Sequence, residues 1–99
     1  MTITKNLNGA SLEIALEGRL DTVTAPELED VVKHELDGVN ALVMDFSKLD
    51  YISSAGLRVL LSAHKIMAGK GGAMKVTNVN EIVREVFEVT GFEDILTIE

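Results

Sequence analysis

Hydrophobic positions recur with two different periods along this chain, and the switches between them predict its elements. In SLEIALEG, Leu12, Ile14 and Leu16 alternate with more polar neighbours, the period-two signature of a strand with one buried face. ITKNL before it reads as a hairpin partner, with Asn8-Gly9 as the turn signal. The period then becomes helical, because Leu28, Val31, Val32 and Leu36 fall on one side of TAPELEDVVKHELDG. Thr24 offers a hydroxyl, Pro26 a first-turn proline and Glu27 an acid three residues after the Thr, which together predict a capping box at the helix start. Gly38 is placed to end that helix.

NALVMDF follows as an almost unbroken apolar run, the pattern of a central strand buried on both faces. Within DYISSAGL a second helix begins at about Ser53 to Ala55. Leu57, Leu60, Leu61, His64 and Met67 share one of its sides, Val59, Ala63 and Ile66 widen the stripe, and Gly69, Gly71 and Gly72 stop it. AMKVTNV predicts a strand with Met74 and Val76 on one face. NEIVREVFEVTG predicts a helix with Ile82, Val83, Val86 and Phe87 inward, and FEDILTIE a last short strand. The order β-β-α-β-α-β-α-β belongs to the α/β class, a mixed β-sheet that is mostly parallel through right-handed crossovers, with the first hairpin as an antiparallel edge. Three helices are too few to cover both faces. They are expected mostly on one face, leaving the other partly exposed or available to a partner. With no repeat, linker or low-complexity segment, residues 1–99 read as a single domain.

Composition sharpens this in three respects. Hydrophobic residues make up 46% of the chain but include one Tyr, three Phe and no Trp, so the core must be aliphatic. The absence of Cys removes disulfides, thiolate metal sites and a cysteine nucleophile. Sixteen acidic residues against nine basic ones give a net charge of -7, which repels a polyanionic backbone and makes nucleic acid an unfavourable partner. No segment approaches the roughly 20 apolar residues that span a bilayer, and the N-terminus lacks a long uncharged apolar run. A cytoplasmic protein with no membrane partner is expected.

The chemistry-bearing residues are few. Ser53 and Ser54 stand at the predicted N-terminus of the second helix. A hydroxyl there caps an unpaired backbone N–H, worth about 1 kcal/mol, yet one serine suffices for that. The same position, with the small Gly56 close by, also tolerates an added phosphate dianion, so a capping and a functional hydroxyl both fit. A catalytic serine fits less well: SSAGL is not a G-x-S-x-G elbow, and His34 and His64, the two histidines, lie in helices with no signal placing either beside the serine. They do not specify a metal without Cys or an H-E-x-x-H pattern, and no cofactor is expected. Glu27, Glu29 and Asp30 suit a helix N-terminus electrostatically, without paired-carboxylate catalysis.

GRLD at Gly18 to Asp21, the TAPEL helix start, DFSKLDYISSAGL, KGGAMKV and VTGFEDIL occur in an order and spacing that resemble the STAS domain of bacterial anti-sigma factor antagonists. The resemblance covers essentially the whole chain. It implies a sheet with helices on one side and partner switching rather than catalysis. Such a protein binds an anti-sigma factor that is also a serine kinase, freeing the sigma factor, and is released when it is itself phosphorylated; a serine phosphatase would reset it. Carried onto this sequence, the phosphorylated serine is Ser54, two positions before the Gly of the Gly-Leu pair. Asp21 matches the carboxylate of the G-x-x-D segment, which would position that serine or touch the kinase, although a turn residue after a strand explains it equally. Asp21, Ser53, Ser54, Ala55, Gly56, Leu57 and Arg58 are the expected partner-binding residues, with Gly56 allowing the kinase close approach. Ser53 stands where the family often has Asp, Ala55 where it has a second hydroxyl, and Arg58 where it has a small residue. These departures leave open an interaction module that is not phosphorylated and serves another signalling or secretion complex. Many relatives also continue into a further helix beyond the position of Glu99, so a smaller exposed C-terminal region is expected.

Overall fold

The computed structural model describes residues 1–99. Strands β1 (Thr2–Asn8) and β2 (Ser11–Leu20) form an antiparallel hairpin in which Asn8 faces Ser11 across a two-residue turn. Gly9 holds φ +63° and Ala10 no positive φ, so the glycine occupies the first turn position, the pattern of a type II′ connection.

Helix α1 (Ala25–His34) leads to β3 (Ala41–Ile52), α2 (Ser54–Gly69) to β4 (Ala73–Thr77), and α3 (Glu81–Thr90) through a short 3-10 turn at Phe92–Asp94 to β5 (Thr97–Ile98). The five strands lie in the order β1-β2-β3-β4-β5. All neighbours after the first hairpin are parallel, as the alternation of elements requires. In register across the sheet, Leu12, Leu42 and Met74 form one buried row and Ile14, Met44 and Val76 the next. Leu28, Val32, Leu60, Ala63, Met67, Val83 and Phe87 of the helices join the same core, so the helices cover one face. Phe87 packs between Phe46 and Phe92, with ring centroids 6.4 and 6.5 Å away. No helix is long and apolar enough to cross a membrane.

Four sequence expectations change. First, β3 does not end at Phe46 but runs to Ile52. Its register against β2 shifts twice, between Ala15 and Glu17 and between Gly18 and Arg19, each time adding a residue to β3. These bulges space Phe46, Leu49 and Ile52 by three instead of two, so period-two reasoning loses the strand where it is still paired. Second, β3 is not buried on both faces: Leu42, Met44 and Phe46 are buried, but Ala41, Val43 and Asp45 are only half-buried. The helix-free face leaves them partly in water. Third, α1 stops at His34 rather than near Gly38. Leu36 and Val39 reach the core from the connection, and Lys70 Nζ donates to the Leu36 carbonyl there. Fourth, Ile82 is 59% exposed while Val83 and Phe87 carry the buried stripe of α3. Asn80 sets that orientation: its Oδ1 accepts from Val83 N at 2.8 Å and its Nδ2 donates to the Leu49 carbonyl at 2.8 Å, tying the start of the helix to β3.

Candidate functional site

Strands β2 and β3 end side by side, with Leu20 paired to Ile52 and Ser53 N donating to the Leu20 carbonyl at 2.9 Å. Asp21 follows directly on β2, and Ser53 and then Ser54 follow on β3, so the sheet brings the carboxylate turn and the two serines to the same end of the β2–β3 pair. Ser53 adopts an extended conformation at the N-cap of α2 (φ -100°, ψ 177°), and its carbonyl accepts from Leu57 N at 3.0 Å. The capping reading of its hydroxyl does not hold. Ser53 Oγ is buried and has no hydrogen-bond partner, and no side chain caps α2. Ser54, the first residue of the helix, is exposed.

Asp21 is held tightly. Its Oδ1 accepts from Val23 N at 3.0 Å, Thr24 N at 3.1 Å and the Thr24 hydroxyl at 3.2 Å. Thr24 Oγ1 also accepts from Asp21 N at 2.9 Å and lies 2.8 Å from the Arg19 carbonyl. The predicted capping box is therefore absent: Thr24 is itself in helical conformation, and its hydroxyl is engaged back toward β2 instead of at the helix's free N–H groups. The turn does the work of starting α1, with Ala25 N donating to the Asp21 carbonyl at 2.8 Å. The N–H of Thr24, then that of Val23, the Thr24 hydroxyl and the Arg19 guanidinium 3.7 Å away hold the Asp21 carboxyl below its ordinary pKa of 3.8. Arg19 also lies over the Tyr51 ring at 4.5 Å, bridging the ends of the two strands.

Of the other expected partner-facing residues, Arg58 is exposed and Ala55 half-buried, whereas Gly56 and Leu57 face the core. A Cβ on Gly56 would lie 2.7 Å from Leu20 Cγ and 2.8 Å from Ile52 Cγ1. The close approach that needs glycine here is therefore between α2 and the strand ends beneath it.

Residues 2–99 match the STAS domain family. The chain belongs to this family. It is 35% identical over 99 residues to BtrV of Bordetella bronchiseptica, which carries the name of an anti-sigma factor antagonist, covering 99% of this chain and 85% of that protein. It is 26% identical over 91 residues to the anti-sigma-B factor antagonist of Bacillus subtilis, covering 92% and 84%. Among solved structures, the Bacillus cell fate determinant SpoIIAA in its phosphorylated form superposes with a TM-score of 0.79 at 17% identity, covering 99% of this chain and 91% of that one. At that identity the likeness is one of fold.

Two further features of this STAS domain bear on its chemistry. His34 is exposed near the end of α1, its Nδ1 2.9 Å from the Asp30 carbonyl. His64 lies ten residues along α2 from Ser54, about 15 Å down the axis. His64 therefore does not stand by the serine as a base, and His34 sits at the end of α1 opposite the Asp21 turn. Val23, 84% exposed, was not among the expected site residues. The available signal was a lone aliphatic side chain in a polar turn, outside either periodic stripe.

Proposed function

We propose that this STAS domain is an anti-sigma factor antagonist. It binds an anti-sigma factor that is also a serine kinase, frees the sigma factor, and is released when that kinase phosphorylates Ser54. The reading is carried by one observation: at the junction of β3 and α2 there are two serines, and only one is offered to solvent. Ser54 is exposed at the head of the helix, while the Ser53 hydroxyl is buried and out of a kinase's reach. The names of BtrV and of the Bacillus subtilis protein support the antagonist role, and a phosphorylated form of the same fold supports a phosphate at such a domain.

The physics of release is local. A phosphate adds roughly -1.5 to -2 charge at neutral pH, and the uncapped N–H groups of α2 favour that charge, so the domain has little reason to rearrange. The kinase, still holding anionic ADP, meets the new phosphate across a partly desolvated contact and is repelled. A serine phosphatase would restore the binding form. The role needs no chemistry from this chain, no cofactor, and a cytoplasmic setting where ATP is available.

The test is incubation with each anti-sigma factor kinase of the same cell and magnesium ATP, followed by mass analysis. The wild-type chain is expected to gain one phosphate and Ser54→Ala none, with both variants equally folded. Undiminished phosphate on Ser54→Ala would place the acceptor elsewhere. A stable complex with no phosphate on either form would favour the constitutive interaction module instead.

A further inference from the structure

Val23 is held in water by a turn that leaves it little freedom. Its own N–H and that of Thr24 are both bound by Asp21 Oδ1, and the turn is closed on either side by the Thr24 hydroxyl at Arg19 and Ala25 N at Asp21. A β-branched side chain adds one stiff rotamer to that fixed backbone. Binding through such a residue orders almost nothing that is not already ordered, which distinguishes it from the flexible charged groups around it.

The turn borders a groove between α1 and α2. Ala25 and Pro26 line one side, Ala55 and Val59 the other, and Glu29 and Arg58 stand at its margins. Ser54 immediately precedes Ala55, and Arg58, four residues on, shares Ser54's side of the helix. The two charges differ. Glu29 is already paired with Lys33 at 2.9 Å, whereas Arg58 makes no ion pair. In a chain of net charge -7, that leaves an unspent cation one turn from the acceptor serine.

We propose that Val23 and Arg58 are the contacts by which this domain selects its kinase: Val23 enters an aliphatic socket on the kinase, and a kinase carboxylate meets Arg58. The inference rests on the Ser54 reading. Val23 supplies apolar burial without an ordering cost. Arg58 supplies discrimination, because a kinase with a cation at the facing position would be repelled by it. Val23 lies on the turn that follows β2 and Arg58 one turn into α2, so both add to docking affinity at this end of the sheet without touching the transfer step.

The experiment measures affinity for the purified anti-sigma factor kinases loaded with ADP, and phosphorylation kinetics with ATP, for wild type, Val23→Ser and Arg58→Glu. Val23→Ser is expected to weaken the complex and raise KM at least about tenfold, equivalent to 1.4 kcal/mol, while kcat and the melting temperature stay unchanged because the side chain is already in water. Arg58→Glu is expected to lose at least about tenfold at low salt, the loss shrinking as salt is raised. Wild-type affinity in either variant overturns the proposal. A complex that weakens on Val23→Ser but never carries phosphate on Ser54 overturns the phosphorylation reading and leaves the docking contacts standing. No complex between the wild-type chain and any of the kinases overturns both.

Discussion

Gly56→Ala places one methyl group where the structure has no room for it. The new carbon would lie 2.7 Å from Leu20 Cγ, 2.8 Å from Ile52 Cγ1 and 3.0 Å from Leu20 Cδ2. Both neighbours are themselves fully buried, at 0% and 1% exposure, so neither can swing into solvent. Real contacts of this kind relax only by pushing α2 off the strand ends or by forcing Leu20 and Ile52 from their rotamers, and such overpacking costs about 1–3 kcal/mol. Helix propensity acts the other way, since Ala within a helix is favoured over Gly by about 1 kcal/mol. The steric cost should win, because two branched side chains must move at once, leaving a net loss of up to about 2 kcal/mol. For a domain of this size each kcal/mol lowers the melting temperature by roughly 4–8 °C. Thermal and urea unfolding of the wild type and Gly56→Ala measure this directly. Adding Ile52→Val, which removes a methyl group near the clash, should cost less in the Gly56→Ala background than in the wild type. A melting temperature equal to or above wild type would refute the reasoning, showing that Leu20 and Ile52 yield to the added methyl group without cost.

Ser53→Ala should leave stability unchanged or raise it, because it removes a buried hydroxyl that has no partner; a working N-cap would instead lose about 1 kcal/mol, and a fall of that size in urea unfolding would restore the capping role. Asp45, like Asp21, has its pKa held below 3.8, first by the Asn78 amide and then by Ser47 N. Carboxylates depressed in the folded state add stability that is present above the unfolded value and is lost as pH falls through the folded one. Urea midpoints should therefore fall as the pH drops below about 4, and fall less steeply in Asp21→Asn/Asp45→Asn; an identical acid profile would show that these carboxylates contribute nothing to the pH dependence.

Much of this molecule was legible along the chain because its elements follow periodicities that neighbouring residues set for themselves. Leu12, Ile14 and Leu16 specify a one-sided strand, Met74 and Val76 another, and Val83 with Phe87 a helical stripe; burying those faces against each other leaves few arrangements beyond a parallel sheet with helices on one side. The place of Ser54 at the head of α2 was legible for the same reason, since an apolar run gives way there to a helix start. What the chain could not show is what depends on residues distant in sequence. The bulges in β3 arise from its pairing with β2, so local alternation misread the strand's length and end. Gly56 looks like a surface residue until Leu20, thirty-six positions earlier, is packed beneath it. The two serines are chemically identical neighbours, and only the packed junction buries one hydroxyl and exposes the other residue. Thr24 had the right spacing for a cap, but Asp21 and the Arg19 carbonyl, brought close by the turn, engaged its hydroxyl first. Local propensity chooses the elements; the competition for space and for hydrogen-bond partners, settled only when they meet, chooses which side chains are left to face a partner.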